Sequence, residues 1–125
     1  MKYVSTRNTG KNFSFKDVFL KGLAPEGGLF VPKNIPKFNN RELENLRNLS
    51  YFNLATKIIY KFCSDEFSKN EIKKLIKKSY KNFRVKNVVK IKKFKNLTLL
   101  ELFHGPTLAF KDIAMQVIGN MYEKI

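Results

Sequence analysis

The sequence predicts an α/β fold, with a small, mainly helical N-terminal domain followed by the start of an α/β domain. Apolar residues recur at helical spacing from about residue 41 to residue 83. Two strand-like apolar runs, a loop and an amphipathic segment at residues 112–122 follow. The 125 residues are 43% hydrophobic and 14% aromatic, which is enough for a modest core.

The first forty residues predict two short strands around one helix. Residues 2–5 form the first strand, and residues 29–31 form a second strand that Pro32 closes. Between them, Ser14 caps a helix with Asp17 three residues on, and Gly22 ends that helix. Residues 33–40 are predicted to be a loop.

Three helices are predicted in the middle of the chain. A leucine stripe at positions 43, 46 and 49 marks the first, and Ser50 caps the second. Ser68 and Glu71 form a capping box for the third. The residues of the third helix that should face inward are Ile72, Leu75, Ile76 and Tyr80.

The last forty residues predict strands at 88–91 and 97–103, a turn at Lys95-Asn96 between them, and a final helix. The predicted domains are therefore residues 1–85 and residues 86–125. One or two strands with one helix cannot cover both faces of a parallel sheet. We therefore expect the second domain to be incomplete and the chain to be the N-terminal piece of a longer enzyme.

The net charge of +15 raises the question of nucleic-acid binding. Twelve basic residues lie between positions 69 and 95, where Glu71 is the only acid. Lysines outnumber arginines by 21 to 4, whereas bidentate recognition of bases and phosphates favours arginine. The pattern favours a solvated surface, and a basic nucleic-acid-binding module stays as an alternative.

Cysteine usage and the N-terminus bear on the cellular compartment. The single cysteine, Cys63, excludes an internal disulfide and is predicted to lie in the core. The first residues lack the apolar stretch of a secretory signal, and no apolar run approaches the length that spans a bilayer. We therefore expect a cytoplasmic protein without membrane partners. No cluster of histidine, cysteine or acidic residues in the sequence predicts a metal site.

Lys111 is the residue whose setting is most typical of catalysis. It follows Ala109 and Phe110 at a junction between a strand and a helix. Apolar neighbours and helix N-terminal amides would both lower the pKa of a lysine there, which favours a neutral, nucleophilic amine. Such an amine is suited to a Schiff base.

Three segments resemble the threonine synthase family, which belongs to the tryptophan-synthase-β-like (fold type II) group of pyridoxal-phosphate enzymes. They are YVSTR at 3–7, GLAPEGGLFVP at 22–32, and HGPT at 104–107 with AFKD at 109–112. The resemblance covers the length of the chain in the right order. One departure is Asn8, where the family more often has glycine.

The resemblance implies a lyase that converts O-phospho-L-homoserine and water to L-threonine and phosphate, with pyridoxal 5'-phosphate as cofactor. It implies the opening of a three-layer α/β catalytic domain, with Lys111 as the catalytic residue that binds the cofactor covalently. Phe110 is expected beside the cofactor ring or in the core. Thr107 is expected either beside the cofactor or as a helix cap. A serine/threonine dehydratase-like enzyme is the alternative within the same group.

His104 and Arg7 each allow two interpretations. His104 is either a loop residue bonded to backbone or part of the site, and Arg7 either binds a phosphate or anchors the first strand through a buried ion pair. No glycine- and serine-rich loop follows Lys111 to hold the cofactor phosphate. We therefore expect negligible activity and weak cofactor affinity from these 125 residues alone.

Overall fold

A computed structural model describes residues 1–125 as five helices and two small antiparallel sheets. The elements in chain order are β1 (Tyr3–Ser5), α1 (Phe15–Lys21), β2 (Phe30–Pro32), α2 (Asn40–Arg47), α3 (Tyr51–Cys63), α4 (Lys69–Ser79), β3 (Lys90–Phe94), β4 (Leu97–Glu101) and α5 (Asp112–Tyr122). No helix combines the length and apolar character that crossing a bilayer requires.

The predicted helix starts are confirmed because side chains satisfy the free amides of the first turn. Ser14 and Asp17 form the expected capping box of α1, and the amide of Gly22 ends the helix by donating to Val18. The Asn53 amide donates to the Ser50 hydroxyl at the start of α3. Ser68 and Glu71 make both bonds of the capping box before α4.

The start of α2 differs from the prediction of a loop through residue 40. Asn39 caps this helix, its side chain accepting from the Glu42 amide at 2.8 Å while the Glu42 carboxylate accepts from the Asn39 amide at 2.8 Å. An asparagine can replace serine in a capping box. The signal was therefore present in the sequence.

The first sheet pairs β1 with β2 in antiparallel fashion, with Tyr3 opposite Pro32 and Ser5 opposite Phe30. Both predicted strands are confirmed, with β2 displaced by one residue. Arg7, just after β1, is exposed and its Nη1 donates to the Glu26 carbonyl at 2.9 Å. The expected buried ion pair of Arg7 is therefore wrong.

The second sheet is a hairpin whose first strand starts later than predicted. β3 pairs with β4 from Lys90 opposite Glu101 to Phe94 opposite Leu97, so the expected turn at Lys95-Asn96 is confirmed. Val88 lies before the strand, fully buried and with a positive φ of 66°. That conformation, unusual for a β-branched residue, cannot continue a strand.

The chain divides into two compact units, Met1–Asn48 with Thr56–Ile72, and Leu49–Ala55 with Lys73–Ile125. In the first, the Tyr3 hydroxyl donates to the Phe62 carbonyl at 2.5 Å, and the Phe15 and Phe67 rings lie 6.0 Å apart. Cys63 is fully buried there, as predicted. The predicted domain boundary after residue 85 stays a prediction, because compact units of so short a chain need not be independent domains.

The second unit is organised around Tyr80. Its side chain is buried as predicted, although it lies one residue beyond the end of α4. The Tyr80 hydroxyl donates to the Ile113 carbonyl at 3.0 Å, which ties the end of α4 to α5. Val117 and Met121 bury the inner face of α5.

Candidate functional site

The segment between β4 and α5, residues 102–111, holds the residues singled out in the sequence. Its backbone is a series of tight turns, in which the Leu108 amide donates to the Gly105 carbonyl and the Asp112 amide donates to the Ala109 carbonyl. Leu108 has a positive φ of 63°. A branched side chain in the left-handed region is strained, so the surrounding contacts must hold this conformation.

Asp112 holds the loop in place. Its carboxylate accepts from the Thr107 amide through Oδ2 and from the Thr107 hydroxyl through Oδ1, both at 2.8 Å. Only 3% of Asp112 is exposed. A carboxylate buried to this extent needs such donors, and here they fix the course of the loop five residues upstream.

Gly105 makes this arrangement possible because it leaves room for Asp112. A Cβ atom at position 105 would lie 2.4 Å from both Cβ and Oδ2 of Asp112. These distances are well below van der Waals contact. The glycine of the motif therefore serves close packing.

Thr107 does not cap the final helix, so that interpretation is wrong. α5 begins after Lys111, which occupies the N-cap position without a side-chain cap bond. The Thr107 hydroxyl instead donates a hydrogen bond to Oδ1 of Asp112. Its position beside the cofactor stays a prediction.

Lys111 lies in helical conformation (φ −60°, ψ −25°) at the junction of the loop with α5. Its carbonyl accepts from the amides of Ala114 and Met115. Its side chain is exposed and makes no ion pair, so the expected apolar enclosure is absent from these residues. Phe110 is 65% exposed, and its core interpretation is therefore wrong.

His104 belongs to a charged cluster that the sequence analysis missed. Its Nε2 lies 2.8 Å from Oε2 of Glu101, and the Lys92 ammonium lies 2.7 Å from Oε1 of the same carboxylate. The hydrogen bond from Lys92, with that of His104, lowers the pKa of Glu101 below its ordinary value. An acidic residue ending an apolar strand was the available signal.

The cluster follows from the register of the hairpin. Lys92 lies opposite Leu99, two residues from Glu101 on the same face, which is within reach of a long side chain. The main chain of His104 is also held, because its carbonyl accepts from the Arg84 amide at 2.9 Å. The loop that leads to Lys111 is thus held near its start through His104 and near its end through Asp112.

The residues present fit one end of pyridoxal phosphate. The exposed amine of Lys111 suits its aldehyde, and the exposed ring of Phe110 offers an apolar surface. The loop does not suit a phosphate, because the Thr107 amide already donates to the Asp112 carboxylate, whose charge would repel an anion. No group of three histidine, cysteine or acidic side chains is arranged to bind a metal ion.

Comparisons with known proteins show which family the chain resembles. The family model described as "Threonine synthase N terminus" matches residues 2–80. Threonine synthase of Schizosaccharomyces pombe is 43% identical over 98% of the chain and 24% of its own length. That of Pseudomonas aeruginosa is 38% identical over 100% of the chain and 27% of its own length.

A solved structure shows the same fold. The crystal structure of PLP-bound threonine synthase from Brucella melitensis superposes with a TM-score of 0.94 and 38% identity, over 99% of this chain and 27% of that one. The fold of these residues is thus that of the matching quarter of this PLP-bound enzyme. The chain belongs to the threonine synthase family, and it spans about a quarter of the length of the relatives it matches.

Proposed function

We propose that these residues contribute the catalytic lysine to the conversion of O-phospho-L-homoserine and water to L-threonine and phosphate. The observation that carries the proposal is the exposed, unpaired amine of Lys111 at the strand–loop–helix junction of a threonine synthase family chain. The chain spans only 24–27% of its relatives' length. The proposed activity therefore requires these residues together with a polypeptide equivalent to the other three quarters of those enzymes.

The cofactor is proposed to be pyridoxal 5'-phosphate, supported by the PLP-bound relative from Brucella melitensis. When bound, it supplies an electron sink that stabilises negative charge on the substrate carbons. Lys111 Nζ would hold it at the aldehyde end, and Thr107 and Phe110, in the loop that precedes Lys111, are proposed to lie beside it. The cofactor phosphate would be held by residues outside this loop, because the Thr107 amide already donates its hydrogen bond to Asp112.

Lys111 is also proposed to move protons. Its Nζ would take a proton from the α carbon of the substrate and return protons later in the reaction. Overall, the β carbon loses a proton, the bond between the γ carbon and the phosphate oxygen breaks, and the γ carbon gains a proton. One water adds its hydroxyl at the β carbon and gives its remaining proton to the released phosphate. The rigid loop supports this role, because Asp112 and Gly105 fix the backbone that leads to the amine.

A chimera tests the proposal. The matched quarter of the Schizosaccharomyces pombe enzyme is replaced by this chain, and phosphate release from O-phosphohomoserine is measured. We expect activity in the chimera and a loss of roughly a thousandfold or more in Lys111→Ala. Lys74→Ala, another exposed lysine, is the matched control and should retain activity. Deamination of serine or threonine in place of phosphate release would support a dehydratase instead.

Covalent labelling gives a second readout that does not depend on turnover. Borohydride reduction of the chimera with pyridoxal phosphate should attach the cofactor to Lys111, as mapped by mass spectrometry. Labelling of a different lysine would overturn the assignment. The 125-residue chain alone should show negligible activity and substoichiometric labelling, because its loop offers no phosphate site.

The compartment and partners are proposed on separate grounds. We propose that the enzyme works in the cytoplasm, supported by a single cysteine that is fully buried and unpaired. Its partner is a small-molecule substrate, O-phosphohomoserine. Fractionation of cells expressing a tagged chain would test the compartment.

A further inference from the structure

A concave surface lies in the unit formed by Leu49–Ala55 and Lys73–Ile125. We call it the lysine pocket, and define it by four lysines and two aromatic residues among its lining. They are Lys73, Lys77, Lys81, Lys86, Phe52 and Phe83. Its volume is about 560 Å³, and no residue of the loop at 102–111 lines it.

The charge of the lysine pocket is uncompensated. None of its four lysines forms an ion pair, and no acidic residue lines it. Lys73 and Lys77 share one face of α4, and the turn continues past the helix because the Tyr80 amide donates to the Ile76 carbonyl. Lys81 therefore follows on the same side, and the like charges reinforce one another.

The aromatic wall of the pocket consists of Phe52 and Phe83, whose rings both pack against the buried ring of Tyr80. The Tyr80 and Phe83 rings meet edge to face at 5.1 Å, and the Phe52 ring lies 6.3 Å from that of Tyr80. The hydroxyl of Tyr80 is bonded to the Ile113 carbonyl, so its ring presents only an apolar surface to the pocket. Phe52 and Phe83 are half-buried, so parts of their rings remain accessible.

We propose that the lysine pocket binds a nucleoside polyphosphate, with the phosphates on the lysines and the base against the aromatic wall. Ammonium groups bind phosphate oxygens as point charges, and a multivalent anion relieves the repulsion among four lysines. Aromatic faces stack on any base. The pocket volume lies within the range of small-molecule sites.

Two features favour this ligand over nucleic acid. The pocket is lined by lysines without arginine, whereas bases are read mainly by the bidentate fork of arginine. A single concavity of this size also matches one nucleotide better than a continuous backbone, which needs a groove that tracks several phosphates.

Calorimetric titration of the 125-residue chain with ATP, inorganic tripolyphosphate and adenosine tests the proposal. ATP should bind most tightly and adenosine most weakly, with affinity that falls as salt is added. The triple variant Lys73→Gln, Lys77→Gln, Lys81→Gln should weaken ATP binding roughly 10- to 100-fold. The control triple Lys74→Gln, Lys90→Gln, Lys93→Gln removes equal charge from exposed lysines outside the pocket and should change it less than about threefold.

The proposed contact between the base and the aromatic wall is tested with Phe83→Leu. This variant should raise the Kd of ATP roughly fivefold or more and leave the Kd of tripolyphosphate unchanged. Photocrosslinking of wild-type chain with azido-ATP needs no variant, and should label a peptide that contains Phe83. Equal losses in the two lysine triples, or labelling elsewhere, would overturn the proposal. Single-stranded RNA that binds tightly and is not displaced by ATP would replace it with a nucleic-acid surface.

Discussion

The carboxylate of Asp112 accepts two hydrogen bonds of 2.8 Å from Thr107, one from its amide and one from its hydroxyl. The pair links the first residue of α5 to the loop that precedes Lys111. Asp112 is therefore a positioning residue for the proposed catalytic amine, although it belongs to the helix.

Asp112→Asn should destabilise the chain by about 1–3 kcal/mol, because the amide keeps one acceptor oxygen where two donors must be satisfied. Thr107→Val removes only the hydroxyl donor and should cost less, about 0.5–1.5 kcal/mol. Urea unfolding followed by circular dichroism measures both changes. Unchanged stability in Asp112→Asn would show that the two bonds do not hold the loop.

Gly105→Ala should destabilise the chain by about 1–3 kcal/mol, since the added Cβ would lie 2.4 Å from Asp112. Gly119→Ala is the matched control, because nothing lies within 4 Å of a Cβ at that helical position. It should stabilise α5 by about 0.5–1 kcal/mol. Opposite signs in thermal unfolding are expected, and a loss of equal size in both variants would contradict the steric argument.

The stability should depend on pH through Glu101. Hydrogen bonds from Lys92 and His104 lower the pKa of Glu101 in the folded state, so its contribution is complete above the ordinary value of 4.5 and is lost as pH falls through the folded pKa. Wild type should exceed Glu101→Gln in stability near neutral pH, and the difference should shrink below about pH 4.5. Urea titrations across this range measure it, and a difference that grows on acidification would refute the assignment.

The thiol of Cys63 should be unreactive while the chain is folded. Its side chain is fully buried, and burial raises its pKa to about 12, so little thiolate forms at neutral pH. Reaction with a disulfide reagent should be slow in buffer and fast in urea, where the unfolded chain is the internal control. Rapid labelling without denaturant would show that the helix end around Cys63 opens readily.

Local signals in the sequence predicted most of the secondary structure. Ser14 with Asp17 and Ser68 with Glu71 marked helix starts, because capping bonds join residues three positions apart. The strand predicted at residues 88–91 failed because Val88 turns into a left-handed conformation. A side chain buried to this extent is stabilised by tertiary packing, which overrides local propensity.

Local patterns along the chain were enough to predict the α/β pattern, the turn at Lys95-Asn96 and the resemblance that singles out Lys111. They did not predict that Asp112 binds Thr107, that Glu101 joins Lys92 to His104, or that four lysines surround one pocket, which became visible in the folded chain. The difference lies in the separation of the interacting residues. Caps and turns depend on neighbours within a few residues, whereas these contacts depend on strand register and helix packing, which bring together residues that no local pattern relates.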